Sequence, residues 1–382
     1  MLLRHPERSV MQWNEVEGSH LLSVMRCFDS VPNAFRTMLN MTPMWNVLFP
    51  NYFNVLMLNG IISRMFYSDA HTHLNNKILY PSREKHIQDF YDKWWRLLIN
   101  IGVNESYNTK GIEIAENISK KQSSYTDLIV KCTIGTHPCE VADGDITLEN
   151  WPDEYKRLRQ LYASHPQHIV AIGECGIDLH YPDTEKTVPL QQQVFRDQCL
   201  LAREYDLPVV IHSRDARDQT REVLEEFKDL CLYFHCRSYE RWHTEYINKH
   251  FPDYYIGFCA NISYPKATNI RESLSWLLYH HNHYPDRFID AKKVPITPLH
   301  DDKWTKFIRQ HMIDRIGYDS WSNFVLETDA PYLAPQAMRW ETNTPAMIVD
   351  HYDYVSHISN IDKELLCERM MENTKRLYRI TD

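Results

Sequence analysis

From Met65 onward the chain repeats one pattern: an apolar run of strand length, a turn, then an amphipathic stretch with its apolar residues on one helical face. Such runs cover Met65–Ala70, Leu97–Val103, Leu128–Ile134, Ile169–Gly173, Pro208–Ile211, Leu232–Phe234, Tyr254–Phe258 and Asn323–Leu326. Between them lie segments such as Leu190–Tyr205, where Leu190, Val194, Gln198 and Leu201 share a face and Pro189 suits a helix start. Eight strands with helical crossovers predict an α/β fold, a (β/α)8 TIM-type barrel, whose catalytic residues project from the C-terminal strand ends.

Those strand ends are polar and able to bind metal. His71 and His73 follow the first run, His137 the third, Glu174 the fourth, His212 the fifth, His235 the sixth, and Glu327-Thr328-Asp329 the eighth. Side chains at i and i+2 of a strand point to one side, so His71 and His73 aim two imidazoles at one point. An isolated pair of this kind is equally a hydrogen-bonded strand cap. Acids and imidazoles at successive strand ends, converging on one barrel mouth, point instead to a divalent metal centre.

Composition narrows the setting. Of the 382 residues 43% are hydrophobic and 24% charged, as expected for a folded globular chain. The nine cysteines are odd in number and form no CxxC pair, which fits a reducing, intracellular home, cytoplasmic or nuclear. A formal charge of −9 argues against a protein that coats nucleic acid electrostatically. It does not exclude a nucleic-acid substrate, because bound cations add positive charge that this sum omits.

Residues 1–64 read differently, as an N-terminal extension ahead of a hydrolase barrel over 65–382 with an insertion at about 276–318. Thr37 to Ser63 carries no charge, yet Asn40, Asn46, Asn51, Asn54 and Asn59 with Pro43 and Pro50 argue against a membrane span. Glu7, Glu15, Glu17 and Asp29 argue against a mitochondrial presequence. A packed extension, or a start codon placed upstream of Met65, is the expectation.

Between about Tyr67 and Tyr378 the chain resembles the TatD-type metal-dependent deoxyribonucleases, members of the amidohydrolase-like metal barrels. The resemblance rests on Asp69-x-His71-x-His73, Gly135-x-His137-Pro138, Gly173-Glu174-Cys175-Gly176-Ile177-Asp178, Ile211-His212-Ser213-Arg214-Asp215-Ala216, Tyr264-Pro265-Lys266-Ala267 and Glu327-Thr328-Asp329-Ala330-Pro331-Tyr332-Leu333. It implies two divalent cations, with His71, His73 and Asp329 on one, His212 and His235 on the other, and Glu174 bridging. An anionic bridge offsets the repulsion of two close cations, which together acidify a shared water. Asp329 would take that water's proton as general base. The pattern also implies DNA as substrate, trimmed from an end in the 3'-5' direction, with His137 holding phosphate and Arg214, Tyr264 and Lys266 beside it. Asp69 and Asp178 would orient ligand imidazoles from behind. Imidazoles and carboxylates suit zinc or manganese, whereas the resemblance implies magnesium.

The chain departs from the family in three places. His235-Cys236-Arg237-Ser238-Tyr239 replaces the family's usual His-Cys-Phe-Ser-Gly, and the guanidinium of Arg237 is expected to contact a substrate phosphate or to pair with Glu240. The link from Ala267 to Asn323 is longer than one helix and carries His280, His281 and His283 with several Lys and Arg residues. The third departure is the extension. Two alternatives stand beside the nuclease: a hydrolase of the same fold acting on a small amide, lactone or phosphoester, and a non-catalytic binding protein. Retention of all six ligands speaks against the latter.

Overall fold

Eight parallel strands form one sheet in sequence order: β1 Tyr67–Thr72, β2 Trp95–Asn100, β3 Ile129–Ile134, β4 Ile169–Asp178, β5 Val209–Arg214, β6 Leu232–Phe234, β7 Tyr254–Phe258 and β8 Phe324–Leu326. The computed structural model describes residues 66–279, 321 and 323–381, apart from 94, 122, 182 and 183. The helices are α1 Arg83–Asp92, α2 Glu105–Lys120, α3 Pro138–Ala142, α4 Trp151–Ser164, α5 Val188–Tyr205, α6 Arg217–Leu224, α7 Arg241–His250, α8 Thr268–Tyr279, α9 Ile348–Ser359 and α10 Lys363–Leu377. Strand and helix alternate as the sequence predicts, and the barrel is nearly closed.

Strands covered on both faces read as continuous apolar runs, which explains why they were visible. One core layer lies between sheet and helices; a second, including Leu97, Ile99, Val210, Tyr233 and Val325, fills the barrel interior. Leu377 and Tyr378 join this inner layer, and Tyr378 Oη donates to the Ala70 carbonyl at 2.8 Å.

Past the strand ends, the seam between β8 and β1 is joined by backbone. Asp329 N–H donates to the His71 carbonyl at 2.9 Å, and His73 N–H to the Ala330 carbonyl at 2.8 Å. Asp69 reinforces the seam by accepting from Thr328 N–H at 2.9 Å and Thr328 Oγ1 at 2.7 Å. Two proposed site segments are thereby fixed to each other.

β4 and β5 run further than their apolar cores, so Glu174 and His212 lie within strands rather than just after them. The polar tail of β4 stays paired because Gly176 lets it approach β5: its φ is 146°, and a Cβ there would overlap the His212 carbonyl. Residues 1–64, most of the 276–318 insertion and His280, His281 and His283 lie outside the described residues. Among the described residues no helix is long and apolar enough to cross a membrane, and the cysteines, 132 through 367, are all free.

Candidate metal centre

Glu174 is the hub of the barrel mouth, 3% exposed, with its two oxygens facing different imidazoles. Oε2 lies 3.5 Å from His71 Nε2 and 3.8 Å from His73 Nε2. Oε1 lies 2.6 Å from His235 Nε2, 2.7 Å from His212 Nδ1 and 3.5 Å from His137 Nε2. Asp329 completes the first group, its Oδ1 3.3 Å from His73 Nε2 and 3.6 Å from His71 Nε2. The structure thus brings together all six residues named as ligands.

The donor chemistry fits cations. His71 Nε2 and His73 Nε2 face each other at 3.2 Å, and His235 Nε2 faces His212 Nδ1 at 3.4 Å. Only one nitrogen of such a pair can carry a proton toward the other, and each ring nitrogen facing inward offers its lone pair to a cation once any proton on it is released. His71, His73 and Glu174 hold their donor atoms within 4.8 Å of one another, and so do His137, Glu174 and His212. These nitrogen and oxygen donors suit zinc or manganese better than an all-oxygen magnesium shell.

Electrostatics keep the acids charged. Burial alone pushes the Glu174 carboxyl up, but the surrounding imidazoles, His235 and His137 foremost, hold it well below the usual range. Burial likewise raises Asp329, and hydrogen bonding from His73 with the charge of His71 more than offsets it.

Two supporting carboxylates act from behind. Asp178 Oδ2 lies 3.0 Å from His212 Nε2, so it orients that ring. Asp69 takes a different role from the one expected: it accepts from backbone N–H groups of His71 and Thr328 and from the Thr328 hydroxyl, and burial pushes its carboxyl up to about 8. It pins the seam rather than a ligand imidazole.

A further supporting acid, noted after the eighth strand but given no role from the sequence, is Glu327, fully buried, which accepts from Tyr233 Oη and from Cys236 N–H. It lies 3.8 Å from His71 Nδ1 and 4.0 Å from His235 Nδ1. Gly257 leaves it room, since a Cβ there would stand 2.5 Å from Oε1. The signal was a carboxylate directly after an apolar strand, beside Asp329. His137, assigned to phosphate alone, also stands among the donors.

The mouth opens into a cavity of about 620 Å³, lined by His73, His137, Asp178, Tyr181, Arg214 and Tyr332 among others. Arg214 is exposed and lies 5.8 Å over the Tyr181 ring. The remaining residues expected to touch substrate do not line this cavity. Tyr264 donates to the Ala334 carbonyl at 2.8 Å, with Arg339 stacked on its ring. Lys266 is exposed on the loop beyond. Arg237 is buried and pairs neither with Glu240 nor with the mouth: its Nη2 lies 2.7 Å from His243 Nδ1.

The family model described as TatD related DNase matches residues 68–280 and 308–379. The chain belongs to that family. It is a metal-dependent hydrolase of the TatD kind, 27% identical to an uncharacterized metal-dependent hydrolase of Mycoplasma pneumoniae (82% of this chain, 100% of that protein). It is 26% identical to the uncharacterized metal-dependent hydrolase YcfH of Escherichia coli (83% and 97%). It is also 27% identical over 219 residues to the human 3'-5' RNA nuclease TATDN2, spanning 56% of this chain and 23% of that protein. The crystal structure of the TatD homolog YJJV from Escherichia coli shares the fold, with a TM-score of 0.62 at 19% identity, covering 83% of this chain and 99% of that one.

Proposed function

We propose that this TatD-family hydrolase cleaves phosphodiester bonds of nucleic acid, DNA first, acting from a strand end with two divalent cations. The observation that carries the reading is the division of donors around Glu174, with His71 and His73 on Oε2 and His137, His212 and His235 on Oε1. The family's description and the human relative's RNA nuclease activity support the substrate class.

The chemistry that divalent cations supply when bound here is acidification of water and neutralisation of phosphoryl charge. The chain's own residues do the rest. Asp329 Oδ1, kept anionic in the mouth, accepts the proton of the attacking water and returns it to the leaving sugar oxygen. Glu174 holds the imidazoles in two groups, and Asp178 fixes the His212 ring. Arg214, on the rim, is placed to hold a phosphate outside the scissile one.

End-labelled single- and double-stranded DNA and RNA oligonucleotides, digested with magnesium, manganese or zinc, test this reading. Stepwise shortening by the wild type and none by Glu174→Gln is expected. Intact oligonucleotides under every cation, with turnover of a small ester or lactone, would replace it by the small-substrate hydrolase.

A further inference from the structure

Arg237 presents a charge that the surrounding chain does not balance. Its side chain is 4% exposed, the Tyr239 ring lies 4.6 Å from the guanidinium carbon, and Nε has no hydrogen-bond partner among the described residues. Nη2 donates to His243 Nδ1, so that imidazole presents a lone pair and is neutral. No carboxylate forms an ion pair with Arg237 among the described residues. A guanidinium cannot shed its proton to escape the cost of burial. An unpaired buried charge is among the most expensive features a fold can carry.

The space beside it has matching character. Arg237 and His243 line a cavity of about 20 Å³ together with Arg217 and Arg221, and no Asp or Glu is among its lining residues. Arg217 and Arg221 do have acidic partners, Asp218 at 3.3 and 3.5 Å and Glu240 at 3.9 Å from Arg217, but these acids are exposed and do not line the cavity. Ser213, His235, Cys236 and Ser238 line both this cavity and the mouth, so it lies just behind the mouth's wall. A water needs roughly 10 to 15 Å³ of such space, so the cavity suits one small ion and excludes a phosphate group.

We propose that a monovalent anion of chloride size occupies this cavity, held by Arg237 with Arg217 and Arg221, and braces the loop that follows His235. The anion supplies the charge that the lining lacks, and the half-buried Arg217 and Arg221 lie between the cavity and solvent.

Wild-type crystals soaked in bromide, with anomalous data collected at the bromine edge, test the site directly. A peak beside Arg237 is expected. Thermal unfolding at fixed ionic strength, with chloride exchanged for gluconate, which is too large to enter, tests its effect in solution. The melting temperature should rise saturably with chloride in the wild type, need several-fold more chloride in Arg221→Gln, and ignore the exchange in Arg237→Met. A cavity without bromide overturns the proposal, as does a melting temperature indifferent to chloride in the wild type. The crystal measurement stands even where Arg237→Met does not fold.

Discussion

Oε2 of Glu327 lies 3.8 Å from Nδ1 of His71, behind the ring whose Nε2 faces Glu174. The same carboxylate reaches to 4.0 Å of His235 Nδ1, in the other donor group. One buried acid therefore stands behind an imidazole on each side of the centre, close enough to act on it through its field rather than through a hydrogen bond. Removing its charge should loosen both: Glu327→Gln is expected to lose about 10 to 100-fold in metal affinity, measured by competition with a chromophoric chelator. Affinity equal to wild type would reduce Glu327 to a packing residue.

Asp329 stands 3.3 Å from His73 Nε2 and is held anionic in the mouth. An amide at this position can still donate an oxygen to a cation but cannot accept a proton. Asp329→Asn should therefore keep the fold and metal content yet lose roughly 10² to 10⁴-fold in turnover, the usual range for a general base. Single-turnover rates measure this loss, and an unchanged rate and pH profile would remove Asp329 from proton transfer.

Acid stability depends on two histidines away from the metal centre. Burial pulls both His243 and His351 down to about 3 from an ordinary 6.5, with the Arg237 charge adding to the effect on His243. Both are neutral when folded and take up a proton on unfolding below about pH 6.5. Their depressed values make the unfolded state the better proton binder between 6.5 and 3, so stability is full above this window and lost as pH falls through it. By pH 5 each costs about 2 kcal/mol. Urea unfolding of chelator-treated protein at pH 7 and pH 5 should show that loss, and His351→Leu should shrink it; equal loss in the variant would assign the acid limb elsewhere.

The barrel was legible because its strands are buried on both faces and read as unbroken apolar runs. β6 and β7 begin and end where those runs do. β4 did not, since Glu174 and Asp178 find partners inside the site and so extend the strand past its apolar part. The converging ligands were legible from chemistry and period-two spacing. Direction was harder to read: position two residues beyond His235 suggested that Arg237 faces the mouth, whereas its side chain turns behind the wall onto His243. Glu327 was visible at the end of the eighth run, but its role was not, because its partners, Tyr233 on β6 and Cys236 beyond it, are remote in sequence.

The division of imidazoles by Glu174 is the centre of the account, and manganese-soaked crystals test it most directly. Anomalous maps should show two peaks per chain in the wild type, one beside His71 and His73 and one beside His212 and His235, with at least one lost in Glu174→Gln. A single peak in the wild type, or two peaks retained at full occupancy in Glu174→Gln, would contradict a binuclear centre built on this carboxylate.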